Sequence, residues 1–145
     1  MILLVRHAKA GSRHDWRGPD RTRPLSKPGA RQAEKLVDLL LPFAPRRVLS
    51  SPYVRCVQTV EPLAREVGTD VEVAPVLAEG ASVPSLMELI DDVDHDVAVL
   101  CSHGDMIPAA LDTLGVRWEG RCSKGSTWVL SPTAVSDALY LPPPG

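Results

Sequence analysis

The first residues of the chain form an apolar run that ends abruptly in two polar side chains. ILLV at residues 2–5 shows no alternation with polar positions, which predicts a fully buried strand over 1–6. A second run of this kind, VAVLC at 97–101, predicts another buried strand. The first run leads into Arg6 and His7, which are costly to bury. A functional site at the carboxyl end of the strand would explain their position.

Helical periodicity alternates with strands along the rest of the chain. Ser26 is a good N-cap for an amphipathic helix that runs to Pro42, and Pro62 is expected to kink or split a later helix. The patterns predict helices over 52–67, 86–93 and 106–114, and strands over 46–51, 71–74, 127–131 and 138–141, the last two paired through a turn. This order predicts an α/β fold, a three-layer α/β/α sandwich with a mainly parallel central sheet.

Length and composition restrict the classes of protein that fit. A chain of 145 residues fits one domain, so 1–145 is predicted to be a single domain. No apolar stretch approaches the roughly 20 residues that cross a bilayer, and Arg6 interrupts the first run too early for a signal peptide. Three cysteines without CxxC spacing indicate neither a disulfide framework nor a zinc site. A cytoplasmic protein without a membrane partner is expected.

Charge is distributed unevenly along the chain. Residues 1–31 hold eight basic and two acidic side chains, a local charge of +6, although the net charge of the chain is −2. This asymmetry favours a focused site for a small anion over a nucleic-acid surface, which would usually raise the pI of the whole domain. Alternatively, the arginines keep the long loop over 9–25 soluble. Loops of that length in compact domains are usually functional or disordered.

Three predicted strands end in residues that can carry chemistry. Arg6 and His7 follow the first strand, Arg55 lies one turn into the helix after the second, and His103 follows VAVLC. Ligands of such sheets bind beyond the carboxyl ends of the strands, where these cations would form a pocket suited to phosphate. A neutral histidine there can attack phosphorus. Metal binding is a competing explanation, but HxH and HExxH spacings are absent, so neither metal nor cofactor is expected.

The same segments resemble the histidine phosphatase (phosphoglycerate mutase-like) superfamily. LVRHAKAG is similar to the family's Arg-His signature, RPLSKPGARQAE to its helix start, SSPYVRCVQT to its second arginine segment and CSHGD to its second histidine. The short chain resembles the SixA-type branch. HAKAGSRHDWRGPDRTRPL and KGSTWVLS are most similar to the phosphatase domain that follows the Nudix domain in some MutT-type proteins, although this chain has no Nudix motif.

The resemblance implies roles for individual residues. His7 would be the nucleophile that becomes phosphorylated, while Arg6, Arg55 and His103 would bind the phosphoryl group and stabilise its transfer. Glu79 resembles the acidic residue that donates a proton in many members of the family.

Further candidates surround this set. Asp105 is the alternative proton donor, and Glu79 can equally be an exposed loop residue without a catalytic role. Gly11 and Ser12 would line the phosphate-binding edge. Lys124 is either a further substrate contact or a solvated turn residue.

These observations predict a metal-independent phosphatase that works through phosphohistidine. Its substrate would be a phosphorylated small molecule, including a nucleotide, or a phosphohistidine protein. The alternatives are a non-catalytic phosphate- or nucleotide-binding module and, less compatible with the short chain, a mutase. Trp16 in the basic loop either stacks on a nucleobase or anchors the loop. The sequence predicts no oligomeric state.

Overall fold

Strands and helices alternate along the chain as the sequence predicts. The computed structural model describes residues 1–145. Its strands are β1 (Ile2–Arg6), β2 (Arg47–Ser50), β3 (Val71–Val73), β4 (Ala98–Ser102), β5 (Thr127–Leu130) and β6 (Leu139–Leu141). Its α-helices are α1 (Lys27–Leu40), α2 (Val54–Val67), α3 (Val83–Val93) and α4 (Met106–Leu114). None of the helices combines the length and apolar character that a membrane crossing requires.

The six strands form one sheet in the order β3-β2-β4-β1-β5-β6. The four strands from β3 to β1 are parallel, and β5 and β6 continue the sheet in antiparallel pairing. The prediction of a mainly parallel sheet with a C-terminal antiparallel strand pair is confirmed. Because β1 and β4 lie at the centre and are buried on both faces, their sequences are continuous apolar runs.

Successive side chains of β1 point to opposite faces of the sheet and enter two separate cores. Ile2 and Leu4 pack in the core that α3 and α4 cover, whereas Leu3 and Val5 pack against α1 and α2. The predicted α/β/α sandwich is therefore confirmed. Parallel pairing with β4 sets the direction of β1, so the residues after Val5 emerge at the carboxyl edge of the sheet.

Helix α2 runs without interruption through Pro62. The expectation that Pro62 would split this helix is wrong. A proline removes one backbone hydrogen bond, but Val60, Leu63 and Ala64 on the same helix are buried in the core, which supports a continuous helix on both sides of the proline.

The start of α1 is fastened to the segment that follows β1. The Ser26 side chain caps the helix by accepting a hydrogen bond from Gly29 N, and both its backbone N–H and its hydroxyl donate to the carbonyl oxygen of Lys9. A side chain at position 29 would overlap that carbonyl, so only glycine allows this close approach. The contact holds Lys9, two residues after His7, in a defined position.

Candidate active site

His7 lies at the carboxyl end of β1 and is held in one tautomer. Its Nδ1 is 2.8 Å from the carbonyl oxygen of Ala8, and since a carbonyl only accepts, Nδ1 carries the hydrogen and Nε2 keeps its lone pair. Burial lowers the pKa of His7 to about 3; the Ala8 hydrogen bond opposes this, and the charges of His103, Arg55 and Arg6 reinforce it. At neutral pH the imidazole is therefore uncharged, which is the state a nucleophile requires.

The low pKa of His7 predicts that the folded state loses stability in acid. The unfolded chain protonates His7 near pH 6.5, but the folded protein does so only near pH 3. Between these values the unfolded state binds more protons, so the free energy of unfolding falls with falling pH, by about 3 kcal/mol at pH 4.5 from this residue. Urea unfolding at pH 7 and pH 4.5 measures the loss, and His7→Gln is expected to remove it. Equal losses in both proteins would refute the assignment.

The guanidinium of Arg6 is fixed by backbone contacts. Nη1 donates to the carbonyl oxygen of Cys122 at 2.7 Å. The group lies so close to Gly104 that a Cβ there would be 2.7 Å from Cζ, which explains a glycine after His103. Nε is buried and has no hydrogen-bond partner. Arg6 therefore holds one unused donor in a fixed place.

His103 follows β4 and lies beside His7, with 5.4 Å between the ring centroids. Its Nε2 is 2.9 Å from the hydroxyl oxygen of Ser51, and the ring packs edge-on against Tyr53 at 4.7 Å. Its Nδ1 is buried without a partner. Sequence reasoning missed Ser51, although it directly follows β2, where side chains reach the same edge of the sheet.

Arg55 is almost completely buried, with 1% of its surface exposed. Nη1 donates to the backbone oxygen of Asp20 at 3.0 Å and Nη2 to its carboxylate at 3.1 Å, while Cζ lies 4.8 Å from the ring centroid of Tyr53. Thr59 links this helix to the segment after β1, since its hydroxyl donates to Arg55 O and accepts from Ala8 N. As in Arg6, Nε is buried and unpartnered.

Asp20 is the counter-ion of the site, and sequence reasoning missed it. Its carboxylate pairs with Arg55 at 3.1 Å, Arg23 at 3.0 Å and Arg13 at 3.5 Å. Burial tends to raise the pKa of Asp20, but the hydrogen bond from Arg23 and the charge of Arg55 outweigh it, so the pKa is lowered. The available signal was an acidic residue inside a strongly basic segment.

A cavity of about 390 Å³ opens in front of these residues. Its lining includes most of the predicted set, namely Arg6, His7, Gly11, Ser12, Glu79, Asp105 and Lys124, together with Arg13, Arg23, Ala10 and Gly104. Arg55 and His103 do not line it; they are buried behind it, against Asp20 and His7. The structure thus brings every predicted site residue to one edge of the sheet, in the cavity or behind it.

Both candidate proton donors line this cavity. Glu79 lies 3.5 Å from Arg13 and 3.9 Å from Arg55 and has 38% of its side chain exposed. Asp105 accepts a hydrogen bond from the backbone N–H of Gly80 at 2.8 Å. Asp105 therefore fastens the loop that carries Glu79, whereas the Glu79 carboxylate faces the cations.

Lys124 lines the cavity, whereas Trp16 does not. Burial, followed by the charge of Arg6, lowers the pKa of Lys124, which lines the cavity. Trp16 is not part of the lining; its Nε1 donates to the carbonyl oxygen of Pro19, and the ring stays 39% exposed. The hydrogen bond fits the role of a loop anchor.

Comparison with known proteins identifies the family. The model of the histidine phosphatase superfamily (branch 1) matches residues 2–82. The chain belongs to this superfamily. A curated relative, the 8-oxo-(d)GTP phosphatase of Mycolicibacterium smegmatis, is 38% identical over 99% of this chain and 48% of its own length. The chain spans about half the length of that relative.

Solved structures show the same fold. The protein histidine phosphatase SixA in complex with tungstate is 18% identical over 97% of this chain and 93% of its own, with a TM-score of 0.77. A SixA-type protein of Agrobacterium tumefaciens is 24% identical over 88% of each chain, with a TM-score of 0.73. The prediction of a phosphatase of the histidine phosphatase type is confirmed at the level of the family.

Proposed function

We propose that this protein is a metal-independent phosphohydrolase that forms a phosphohistidine at His7. The observation that supports the proposal most is a set of buried polar atoms without hydrogen-bond partners. Four buried side-chain N or O atoms have no hydrogen-bond partner, and three of them belong to Arg6, Arg55 and His103. Such atoms are costly in a folded protein, and a bound phosphoryl group, with its acceptor oxygens, would satisfy them.

The proposed reaction has two displacements. Nε2 of His7 attacks phosphorus and forms an N–P bond, while the bond from phosphorus to the leaving oxygen breaks. The guanidinium groups of Arg6 and Arg55 stabilise charge on the transferring oxygens. Water then attacks the phosphohistidine, releasing phosphate and restoring the neutral imidazole.

Glu79 is the proposed proton donor for the leaving oxygen. Glu79 lines the cavity, and Asp105, which accepts a hydrogen bond from the neighbouring Gly80 N–H, acts as a positioning residue for the Glu79 loop. The demand on this donor depends on the substrate, because an alkoxide leaving group requires a proton and a phosphate leaving group needs much less help. Gly11, Ser12 and Lys124 are proposed as further substrate contacts around the same cavity.

The substrate proposed is a phosphorylated small molecule, with nucleotides favoured. The curated relative is named for 8-oxo-(d)GTP, and Lys124 lines both the catalytic cavity and a second basic cavity. A phosphohistidine protein is the second candidate, supported by the SixA fold. No group of His, Cys, Asp and Glu side chains comes together as a metal site, which supports chemistry carried by the arginines and histidines.

Trapping of the phosphoenzyme tests this proposal. Wild-type protein is mixed with ³²P-labelled nucleotide in excess EDTA and quenched in base. We expect labelled protein that is stable in base and loses phosphate in acid, together with full steady-state turnover in the chelator. A base-labile adduct, or activity that depends on an added metal, would contradict it. Tight nucleotide binding without turnover of nucleotides, phosphohistidine or sugar phosphates would instead indicate a non-catalytic binding module.

A further inference from the structure

A second cavity lies beside the catalytic one and is strongly basic. It has a volume of about 630 Å³ and lies between α1, the segment before β5 and the last residues of the chain. Four cationic side chains line it: Lys9, Arg31, Lys35 and Lys124. The other lining residues are prolines and small or neutral polar residues, and no acidic side chain is among them.

These four cations form no ion pair within the fold. None of the ten ion pairs of the structure includes them, although all four converge on one cavity. Arg31 and Lys35 are four residues apart on α1, a spacing at which like charges destabilise a helix. Repulsion between these like charges lowers the stability of the free protein, and an anion bound there would reduce that repulsion.

The second cavity and the catalytic cavity share a cationic lining residue. Lys124 lines both cavities. Lys9 follows His7 by two residues, which span at most about 7 Å of chain. Gln32 accepts a hydrogen bond from the backbone N–H of Lys9 at 3.0 Å, so the backbone of this residue is fixed where its side chain lines the second cavity. An extended anion with one end at His7 would reach the second cluster.

We propose that the second cavity binds the distal phosphates of a substrate with a phosphoanhydride chain, such as a nucleoside di- or triphosphate, while its terminal phosphoryl group faces His7. This inference rests on the proposed phosphohydrolase function and names its substrate class. The bond that breaks joins the terminal phosphorus to the bridging oxygen, and the bridging electrons leave with the shortened phosphate chain. That leaving group is a weak base, so the reaction depends little on the exposed Glu79.

The charge on Lys124 supports the same assignment. Burial, and after it the positive charge of Arg6, lowers its pKa, so an anion between the two cavities would favour its protonated form. An acidic protein surface is a less suitable occupant, because Lys124 belongs to this cluster and also lines the cavity that contains His7.

The test compares substrates of increasing phosphate number. We measure kcat/KM for a nucleoside triphosphate and a nucleoside monophosphate with wild-type protein, Arg31→Ala, Lys35→Ala and the double variant. The ratio of triphosphate to monophosphate is expected to fall at least tenfold in the double variant. Lys27→Ala is the matched control, because Lys27 belongs to the same helix and carries the same charge but does not line the cavity. In that control the ratio is expected to stay within twofold of wild type.

Three outcomes would overturn the inference. The first is an unchanged ratio of triphosphate to monophosphate kcat/KM in the double variant, and the second is an equal fall of this ratio in the Lys27 control. The third is a loss of activity in the double variant that appears only with a phosphohistidine protein as substrate. Binding of inorganic tripolyphosphate to His7→Ala protein, measured by calorimetry, separates this inference from the proposed function. If no substrate turns over but the Arg31/Lys35 double change still weakens tripolyphosphate binding tenfold, the phosphohydrolase proposal fails and the anion subsite stands. If turnover is normal and tripolyphosphate binding is unchanged, only the subsite fails.

Discussion

Replacement of His7 by alanine is expected to reduce kcat by about ten-thousand-fold or more, as loss of a covalent nucleophile does. The neutral Nε2 of His7 carries the only lone pair that the structure holds in a fixed tautomer at the cavity. His103 is a poorer candidate, because it is buried, does not line the cavity and contacts Ser51 through Nε2. The residual rate would come from substrate binding and electrostatic stabilisation by Arg6 and Arg55.

The measurement is single-turnover and steady-state hydrolysis of the best substrate in the panel. His95→Ala is the matched control, since it removes an exposed histidine from the turn after α3 and is expected to leave kcat within twofold. His7→Ala is also expected to form no phosphoenzyme while still binding the product phosphate. Turnover within tenfold of wild type in His7→Ala would exclude the phosphohistidine mechanism.

The position of the site at the carboxyl edge of the sheet could be predicted from the sequence, because it depends on local patterns. Two continuous apolar runs define β1 and β4 as central parallel strands, and the carboxyl ends of such strands meet at one edge. That rule alone joins Arg6 and His7 to His103, nearly one hundred residues away. The resemblance to a family added the roles of individual residues, which neither periodicity nor charge supplies. Those roles, and the prediction of a single domain over 1–145, stay predictions.

The partners of the site residues could not be predicted, because they depend on how loops fold over the sheet edge. Nothing local in the sequence indicates that Asp20, in a long basic loop, meets Arg55 on α2. The same holds for the Ser51 contact to His103 and for the backbone oxygen that fixes His7. The Pro62 expectation failed for a related reason, since tertiary packing of α2 outweighed a local preference. Each of these contacts is set by tertiary packing.

These partners place Arg55 in an unusual electrostatic position. Its two terminal nitrogens bind Asp20, and its Nε is buried without a hydrogen-bond partner. Asp20 is 33% exposed and shared with Arg13 and Arg23, so it also lies within reach of solvent. We infer that the Asp20 carboxylate orients Arg55 before substrate binds. An incoming phosphoryl group then competes with this carboxylate for the guanidinium.

Replacement of Arg55 by alanine is expected to lower kcat/KM by about a thousand-fold, mostly in kcat, since a preorganised donor to the transferring oxygens is lost. Arg55→Lys keeps the charge but not the planar fork, so it is expected to recover no more than about tenfold of that loss. Arg47→Ala is the matched control: it removes an arginine that binds Glu72 through two hydrogen bonds, and we expect kcat/KM within twofold of wild type. Steady-state kinetics and urea unfolding of all three variants separate lost catalysis from lost folding. Full recovery in Arg55→Lys would mean that charge alone suffices, and an equal loss in Arg47→Ala would mean that the effect is structural.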